Sequence, residues 1–319
     1  MVLVSVVIPM YNVEEYIEDC LISLKEQTYK NIEILVINDG STDNSLTIAK
    51  NIAKEDNRIK VYTKENGGLS SARNYALNKI SGDYITFVDS DDYVSKNFIE
   101  KLLDMINKYS TDIAICGYSR LEDKRIVHTL DNYYEELLTT KKIIADMYNN
   151  KDSKYISYIT AWGKLYKTSL FEGISYPSKK HEDEFITYRL YLKTNRICYV
   201  NEELYIYRIR SGSIMGSGFN LNYLDKMDMY EERIAVLKSY SLDTTNTERC
   251  LLKNQKECIY LLDKYGYIEE KASIKKRYKE NYKKYKHNLS YLERIKHKLA
   301  NGKIYYYYLK KFIGAKPLE

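Results

Sequence analysis

Short apolar runs alternate with amphipathic stretches over the first 118 residues of the chain. The apolar runs are rich in β-branched side chains and predict buried strands. Between them, apolar residues recur at three- and four-residue steps, which predicts helices with one buried face. The predicted strands are Val4–Ile8, Ile32–Ile37, Ile59–Tyr62, Tyr84–Asp89 and Ile113–Cys116. Because strands that alternate with helices form βαβ units, we expect an open, mainly parallel sheet flanked by helices.

Local signals place the ends of the first elements. Pro9 is expected to end the first strand, and Asn12 to cap the next helix with Glu15 as its capping-box partner. The residues from Asn38 to Asp43 predict a turn and a helix cap after the second strand.

The pattern is less regular in the second hundred residues. Residues 119–160 predict one helix, at about Lys141–Tyr148, within irregular structure. An amphipathic helix is predicted to open at His181–Phe185. Arg196–Val200 and Leu204–Arg208 are predicted to pair as a hairpin.

From about Asn222 the spacing of apolar residues is helical almost to the end of the chain. We therefore expect an α/β domain over 1–218, divided at 118, and an all-helical appendage over 219–319. The amphipathic pattern in the appendage is carried by two sets of apolar residues: Met227, Tyr230, Ile234 and Leu237, then Leu251, Leu252, Cys258, Ile259 and Leu262. Such helices need partners, so they should pack into a bundle or against another subunit.

Charge is unevenly distributed along the chain. The net charge is +6, but Lys271–Lys311 holds 14 Lys and Arg against two acids. That segment ends in Ile304–Leu309, an apolar and tyrosine-rich stretch. The mixture suits an anionic membrane surface or an acceptor, and an oligomer contact or a solvated tail is the alternative. Nucleic-acid binding through this basic end is less favoured, because basic helices are more often solvated.

Several classes of protein are excluded at this stage. No run of 18 apolar residues predicts a membrane span, and the N-terminus lacks the basic region of a signal peptide. The five cysteines are an odd number without a C-x-x-C pair, as expected for buried thiols in a reducing cytoplasm. We expect a cytoplasmic protein, with a peripheral contact at the inner face of the membrane as one use of its basic end.

Three carboxylates, Asp89, Asp91 and Asp92, follow the fourth predicted strand. Ligands bind at the carboxyl ends of strands in open α/β sheets. Grouped carboxylates repel one another, and Mg²⁺ prefers one or two of them together with phosphate oxygens, so a cation that holds a diphosphate explains the group. The alternative is an acidic loop before a helix. The chain has no dinucleotide-binding G-x-G-x-x-G after its first strand and no P-loop.

Four motifs in series resemble those of the family 2 glycosyltransferases. They are Pro9-Met10-Tyr11-Asn12, Asp39-Gly40-Ser41-Thr42-Asp43, Gly67-Gly68-Leu69-Ser70-Ser71-Ala72-Arg73-Asn74 and Asp89-Ser90-Asp91-Asp92. Trp162 and Glu182-Asp183 continue the likeness, which covers about residues 3–215. The resemblance implies the GT-A fold, a UDP-sugar donor and inversion at the anomeric carbon.

The resemblance also implies a role for individual residues on the donor side. Pro9 and Tyr11 would line the base pocket, Asp39 would accept a hydrogen bond from the uracil ring, and Arg73 would lie near the nucleotide. A carboxylate at a strand end suits a base that carries an N–H donor.

For the metal and the reaction, the resemblance implies that Asp91 is the main ligand of Mn²⁺ or Mg²⁺. Asp89 would lie near the ribose or the metal, with Asp92 close by. Asp183 would be the general base that takes a proton from the acceptor hydroxyl. The alternative for Asp183 is an acidic side chain that only favours a helix N-terminus.

The chain departs from the family pattern at two points. It lacks the Q-x-x-R-W motif of processive members, so transfer of one sugar is favoured over polymerisation. Arg210 stands where many relatives carry a histidine, and because arginine pairs with diphosphates, we assign it to the UDP phosphates.

The expected activity is transfer of one hexose from a UDP-sugar, with UDP-glucose as the first choice. The acceptor would be a glycan on a surface glycoprotein or on a lipid-linked oligosaccharide. The main alternative is a sugar-nucleotide pyrophosphorylase, which would need a glycine-rich phosphate loop with Lys or Arg near the N-terminus; residues 9–12 supply none.

Overall fold

A mixed sheet of ten strands forms the centre of the first structural unit, which takes in residues 1–144 and 150–210. In this computed structural model the described residues are 1–149, 154–210 and 219–299. The strands are β1 Val4–Met10, β2 Ile32–Asn38, β3 Ile59–Thr63, β4 Tyr84–Phe87, β5 Tyr93–Val94, β6 Ile113–Glu122, β7 Arg125–Val127, β8 Glu135–Leu138, β9 Lys164–Lys167 and β10 Ile197–Arg208.

The strand order is β3-β2-β1-β4-β9-β6-β10-β5, with β7 paired to β6 and β8 to β10. Pairing is parallel from β3 to β4 and again between β6 and β10, whereas β9 is antiparallel to both neighbours. The prediction of an open, mainly parallel sheet is confirmed.

Helices cover the faces of this sheet because each presents one apolar side. They are α1 Ile17–Lys25, α2 Ser45–Ala53, α3 Leu69–Leu77, α4 Phe98–Tyr109, α5 Thr140–Asp146, α6 Tyr155–Ile159 and α7 Glu182–Leu192. In α1, for example, Ile17, Leu21 and Leu24 have no exposed surface and join the core around β1 and β2. Burying each such side chain contributes roughly 1.5–3 kcal/mol.

The register of the sheet brings the carboxyl ends of β1, β2 and β4 together. Met10 of β1 pairs with Asn38 of β2, and the Asp39 amide donates to the Met10 carbonyl at 2.9 Å. Beyond β4, the Val88 amide donates to the Val7 carbonyl at 3.0 Å. The polar residues that follow β1, β2 and β4 therefore emerge at one edge of the sheet.

Two predictions are wrong, one about the end of the first strand and one about the start of the helix after it. The strand does not end at Pro9, which pairs in register with Ile37. Asn12 does not cap α1, which begins at Ile17; its backbone has a positive φ of 48°, and its side-chain oxygen accepts from the Thr42 amide at 2.8 Å. Asn12 is used to join two loops, and this long-range bond leaves no signal in local spacing.

The predicted hairpin is also wrong. Residues 197–208 form one strand, β10, whose pairing with β6 shifts register between Val200 and Tyr205. A bulge interrupts the apolar pattern at Asn201–Glu203, and in the sequence this interruption is indistinguishable from a turn. The irregular region expected at 119–160 likewise contains the end of β6, the strands β7 and β8, and α6.

The second unit takes in residues 145–149 and 211–319 and is helical where it is described. Its helices are α8 Asp225–Ser239, α9 Thr245–Lys264, α10 Ile268–Tyr285 and α11 Tyr291–Leu299. Their buried positions include Met227, Ile234, Leu251 and Leu262, so the predicted helical appendage is present. The expected division at 218 stays a prediction, and Ile304–Leu309 lies outside the described residues.

Two predictions drawn from composition can be compared with the described structure. All five cysteines are free and buried, as expected. Among the helices described, none has the length and apolar character needed to cross a membrane.

Candidate active site

The candidate site lies at the carboxyl ends of β1, β2 and β4. Pro9 is buried within β1, and Tyr11, just after this strand, is 48% exposed. Asp39 follows β2 and Asp89 follows β4. The motifs that are far apart in sequence therefore meet at one edge of the sheet, the position where open α/β sheets bind ligands.

Asp39 fixes the glycine loop that precedes α3. Its buried carboxylate accepts from the amides of Gly67 (3.1 Å) and Gly68 (2.7 Å) and from Lys64 Nζ at 2.5 Å. Gly68 has a φ of +83°, which L side chains rarely adopt, so glycine is required at this turn into the helix. Asp39 thus binds β2 to the N-terminus of α3.

Arg73 on α3 is completely enclosed between two carboxylates. Its guanidinium is 3.1 Å from Asp89 and donates to Glu182 at the start of α7. It also lies over the rings of Phe87 and Tyr176. Burial opposes the charged form, but Glu182 and Asp89 more than compensate, and the pKa of Arg73 is raised. The side chain is a permanent buried cation that joins α3, the β4 loop and α7.

The three aspartates after β4 have different surroundings. Asp92 is buried, and its two oxygens accept from Tyr205 Oη (2.7 Å) and the Arg208 amide (2.8 Å). Burial, and then the neighbouring Asp91 and Asp89, raise the pKa of Asp92 well above its usual value. Asp92 therefore ties this loop to β10 through both of its oxygens.

Asp91 is paired with the arginine predicted to bind phosphate. Arg210 Nε lies 2.6 Å from its carboxylate, and Arg208 Nε donates to the Asp91 carbonyl at 2.8 Å. Both guanidiniums lie over the Tyr16 ring, each 5.1 Å from its centroid. Two cations and one accessible carboxylate are thus held together beside the strand ends.

A divalent cation fits two of the three aspartates. The side chains of Asp89 and Asp91 are 28% and 21% exposed, so each can present oxygen to a bound ligand. In the described part of the chain, no three His, Cys, Asp or Glu side chains are grouped to hold a metal. Two hard oxygen ligands suit Mg²⁺ or Mn²⁺ bound together with a diphosphate, and they are too few for a cage made by protein alone.

Asp89 and Asp183 have raised proton affinities. Burial is the largest cause in both, and the Arg73 guanidinium opposes it. The pKa of Asp89 is raised to about 6. The pKa of Asp183 is raised to about 8, with the adjacent Glu182 as the second cause.

Asp183 sits at the start of α7 with one oxygen bonded and one without a described partner. Its Oδ1 accepts from the Glu184 amide at 2.8 Å. The neighbouring Glu182 is directed to Arg73 instead. A carboxylate held by a helix N-terminus, with a raised pKa and one oxygen without a described partner, has the properties of a general base.

Sequence reasoning did not predict the contacts that Tyr205 and Trp162 make in the site, or the burial of Lys164. The Tyr205 hydroxyl accepts from the Asp89 amide at 3.1 Å as well as donating to Asp92. Trp162 stacks on Tyr205 with centroids 4.4 Å apart and planes at 10°. Lys164 is completely buried, and its one sequence signal is a lysine directly before the apolar pair at 165–166.

Comparison with known proteins identifies the family. The chain matches the family model described as Glycosyl transferase family 2 over residues 5–174. The chain is a family 2 glycosyltransferase. This assignment answers the question that the sequence left open between a glycosyltransferase and a pyrophosphorylase.

Two relatives of this glycosyltransferase come from Streptococcus pneumoniae. Glycosyltransferase GlyA of Streptococcus pneumoniae serotype 4 is 41% identical over 239 residues, which cover 73% of this chain and 34% of that protein. Glycosyltransferase GlyG of the same organism is 34% identical over 255 residues, or 76% of this chain and 83% of GlyG. The chain thus spans about a third of GlyA but most of GlyG.

A solved structure shows the same fold. Residues 1–349 of Staphylococcus aureus TarS, in complex with UDP-GlcNAc, superpose with a TM-score of 0.63 at 24% identity. The match covers 79% of this chain and 71% of that one. The predicted GT-A architecture is confirmed by this likeness.

We predict that Arg73→Met lowers the free energy of unfolding by about 3 kcal/mol, because two largely buried carboxylates lose their common cation. Chemical denaturation at neutral pH measures the effect. The matched control is Arg125→Met, which removes an exposed arginine on β7 and should be nearly neutral. A loss of less than about 1 kcal/mol for Arg73→Met would show that the bridge contributes little to stability.

Proposed function

We propose that the chain is an inverting, metal-dependent hexosyltransferase that moves one sugar from a UDP-sugar to a glycan acceptor. The observation that carries this proposal is the group formed by Asp89, Asp91, Arg208 and Arg210 at the strand ends. Accessible carboxylates beside guanidiniums suit a diphosphate with its cation. UDP-glucose remains our first choice of donor; TarS, crystallised with UDP-GlcNAc, supports a UDP-sugar and makes UDP-GlcNAc the second choice.

On the nucleotide side, the half-exposed Tyr11 is the ring available to the base, with Pro9 beneath it in β1. The Asp39 oxygens already accept from Lys64 and two amides. A uracil N–H would therefore share an Asp39 oxygen with one of these donors. Arg73 is buried and bonded to Asp89, so we assign it to holding that carboxylate instead of contacting the nucleotide.

On the phosphate side, Asp91 and Asp89 would hold Mn²⁺ or Mg²⁺, which neutralises charge on the departing UDP. Asp92 is buried and bonded to Tyr205 and the Arg208 amide, so we assign it to supporting the loop instead of to the metal. Arg210 can exchange the Asp91 carboxylate for a phosphate oxygen, because a guanidinium binds both in the same geometry.

In the transfer step, Asp183 accepts the proton of the acceptor hydroxyl. The hydroxyl oxygen forms a bond to the anomeric carbon on the face opposite UDP, and the bond from that carbon to the phosphate oxygen breaks. Its electron pair leaves with UDP, so the configuration is inverted. Glu182 cannot replace Asp183 in this role, because it is occupied by Arg73.

The direct test is release of UDP from a panel of UDP-sugars with water as acceptor. We expect turnover with at least one UDP-hexose, and loss of that turnover in excess chelator. Asp91→Ala should reduce it by about a hundredfold or more, because a cation ligand and the partner of Arg210 are lost together. Asp104→Ala, an exposed aspartate on α4, is the control. Full activity of Asp91→Ala, or in chelator, would exclude the metal assignment.

The pKa of Asp183 predicts a pH dependence. Because only the ionised carboxylate accepts a proton, kcat should rise with pH through about 8. Asp183→Asn should keep donor binding, lower turnover about a hundredfold or more, and remove this rise. A loss confined to donor KM, or an unchanged profile in the variant, would show that another group is the base.

The second unit offers a surface for an anionic partner. Along α10 and the turn after it, exposed lysines recur at three- and four-residue steps on one side: Lys275, Lys276, Lys279, Lys283 and Lys286. Tyr291 and Leu292, at the start of α11, are 76% and 69% exposed. Basic side chains followed along the chain by exposed apolar ones suit the surface of an anionic bilayer, where a lipid-linked acceptor would lie.

We predict that the enzyme sediments with vesicles of phosphatidylcholine and phosphatidylglycerol but not with phosphatidylcholine alone, and that high salt reverses binding. Replacing Lys276, Lys279 and Lys283 by serine should abolish sedimentation and leave UDP release unchanged. The control replaces the exposed Lys50, Lys54 and Lys141 of the first unit in the same way. Equal losses in both triple variants would indicate a general charge effect instead of a docking surface.

A further inference from the structure

Each of the two aspartates assigned to the cation is paired with an arginine of the chain. The Arg73 guanidinium lies 3.1 Å from Asp89. The Arg210 Nε lies 2.6 Å from Asp91 Oδ2. Because both carboxylates are already neutralised, a divalent cation that approaches them meets positive charge beside each ligand.

The two arginines differ in how firmly they are held. The Arg73 side chain is 2% exposed and is also bonded to Glu182, so its removal would leave two largely buried carboxylates without a counter-ion. The Arg210 side chain is 24% exposed, and Asp91 is its one ion-pair partner in the described part of the chain. Its guanidinium otherwise lies over the Tyr16 ring. Arg210 is therefore the counter-ion that another charge can displace.

The neighbouring Arg208 is held by other atoms. It donates to Asp19 Oδ2 and to the main-chain carbonyl of Asp91, each at 2.8 Å. Its guanidinium lies over the same Tyr16 ring, at the same 5.1 Å from the centroid as that of Arg210. Of these two arginines, Arg210 alone occupies a side-chain oxygen that the cation needs.

Charge balance at Asp91 and Arg210 differs between one bound ligand and two. A cation bound alone to Asp91 leaves the Arg210 guanidinium beside a like charge. A diphosphate bound alone to Arg210 leaves the Asp91 carboxylate beside another anion. When both are bound, Asp91 faces the cation and Arg210 faces a phosphate oxygen, so that every charge has a partner of opposite sign.

We propose that the Arg210–Asp91 ion pair makes binding of the cation and of the nucleotide diphosphate interdependent. Each ligand alone must break the pair, whereas the two together replace both halves of it. The proposal rests on the proposed cation and UDP site. The enzyme would then take up its cation with the donor and release it with UDP, instead of keeping a resident metal.

The first test measures Mn²⁺ binding to the full chain by electron paramagnetic resonance, which detects unbound Mn²⁺. We expect UDP to strengthen Mn²⁺ binding at least about fivefold. Arg210→Gln removes the competing charge from a partly exposed position, so the protein should fold. Mn²⁺ alone should then bind roughly fivefold more tightly, and the strengthening by UDP should fall by a similar factor.

Arg208→Gln is the matched control. It removes a charge from the same Tyr16 ring and leaves the Asp91 carboxylate paired with Arg210. At physiological salt it should change the binding of Mn²⁺ alone by less than about twofold, because charges that are not in contact are screened. Equal tightening in Arg208→Gln and Arg210→Gln would indicate repulsion by any nearby cation and would overturn the proposal.

The reciprocal test measures UDP binding by calorimetry in excess chelator. Asp91→Ala should bind UDP more tightly than the wild type, because Arg210 is no longer paired; this measurement needs no change at Arg210. In the Arg210→Gln background the same substitution should give a much smaller gain. Loss of a negative charge alone would help UDP equally in both backgrounds, and that result would reject the proposal.

Two results for the wild type separate this proposal from the function on which it rests. If Mn²⁺ and UDP both bind and neither affects the other, the ion pair does not couple them and the proposed function stands. If neither binds, the proposed function fails and the coupling fails with it.

Discussion

The buried guanidinium of Arg73 is the interaction on which the arrangement of the site depends. It fixes Asp89 after β4 and Glu182 at the start of α7, two segments 93 residues apart in the chain. Without this cation, two carboxylates would repel each other across a largely buried space. The same bridge distinguishes two neighbouring acids on α7, because Glu182 is bonded to Arg73 whereas Asp183 has one oxygen without a described partner.

The sequence was sufficient for the first half of the fold and not for the second. In 1–118 the central parallel strands β1, β2 and β4 are buried on both faces over most of their length, so their apolar runs are continuous and their limits are visible. In 119–210 the strands are antiparallel or bulged and their patterns are broken. The bulge in β10 at Asn201–Glu203 was therefore misread as a turn, and the short strand β8 was not recognised.

For the site, motifs located the residues but did not reveal their partners. Asp39, Asp89 and Asp91 lie at the predicted edge, because strand ends are readable from the pattern. Asp183 begins a helix instead, next to Glu182, which is bonded to Arg73. Asp92 is bonded to Tyr205, which lies 113 positions later in the chain, and local patterns do not reveal such a contact. Lys164 was missed for the same reason: its burial follows from packing around β9, and its place before an apolar pair does not by itself indicate a buried lysine.

The stack of Trp162 on Tyr205 has an optical consequence. Trp162 is the one tryptophan in the chain, so intrinsic fluorescence excited at the red edge of protein absorption reports a single location. Through the Tyr205 hydroxyl, that location is one ring and one hydrogen bond from Asp92 and the Asp89 amide. The molecule therefore has an intrinsic fluorophore beside the proposed donor site, suited to stopped-flow titration with candidate nucleotides and metal ions.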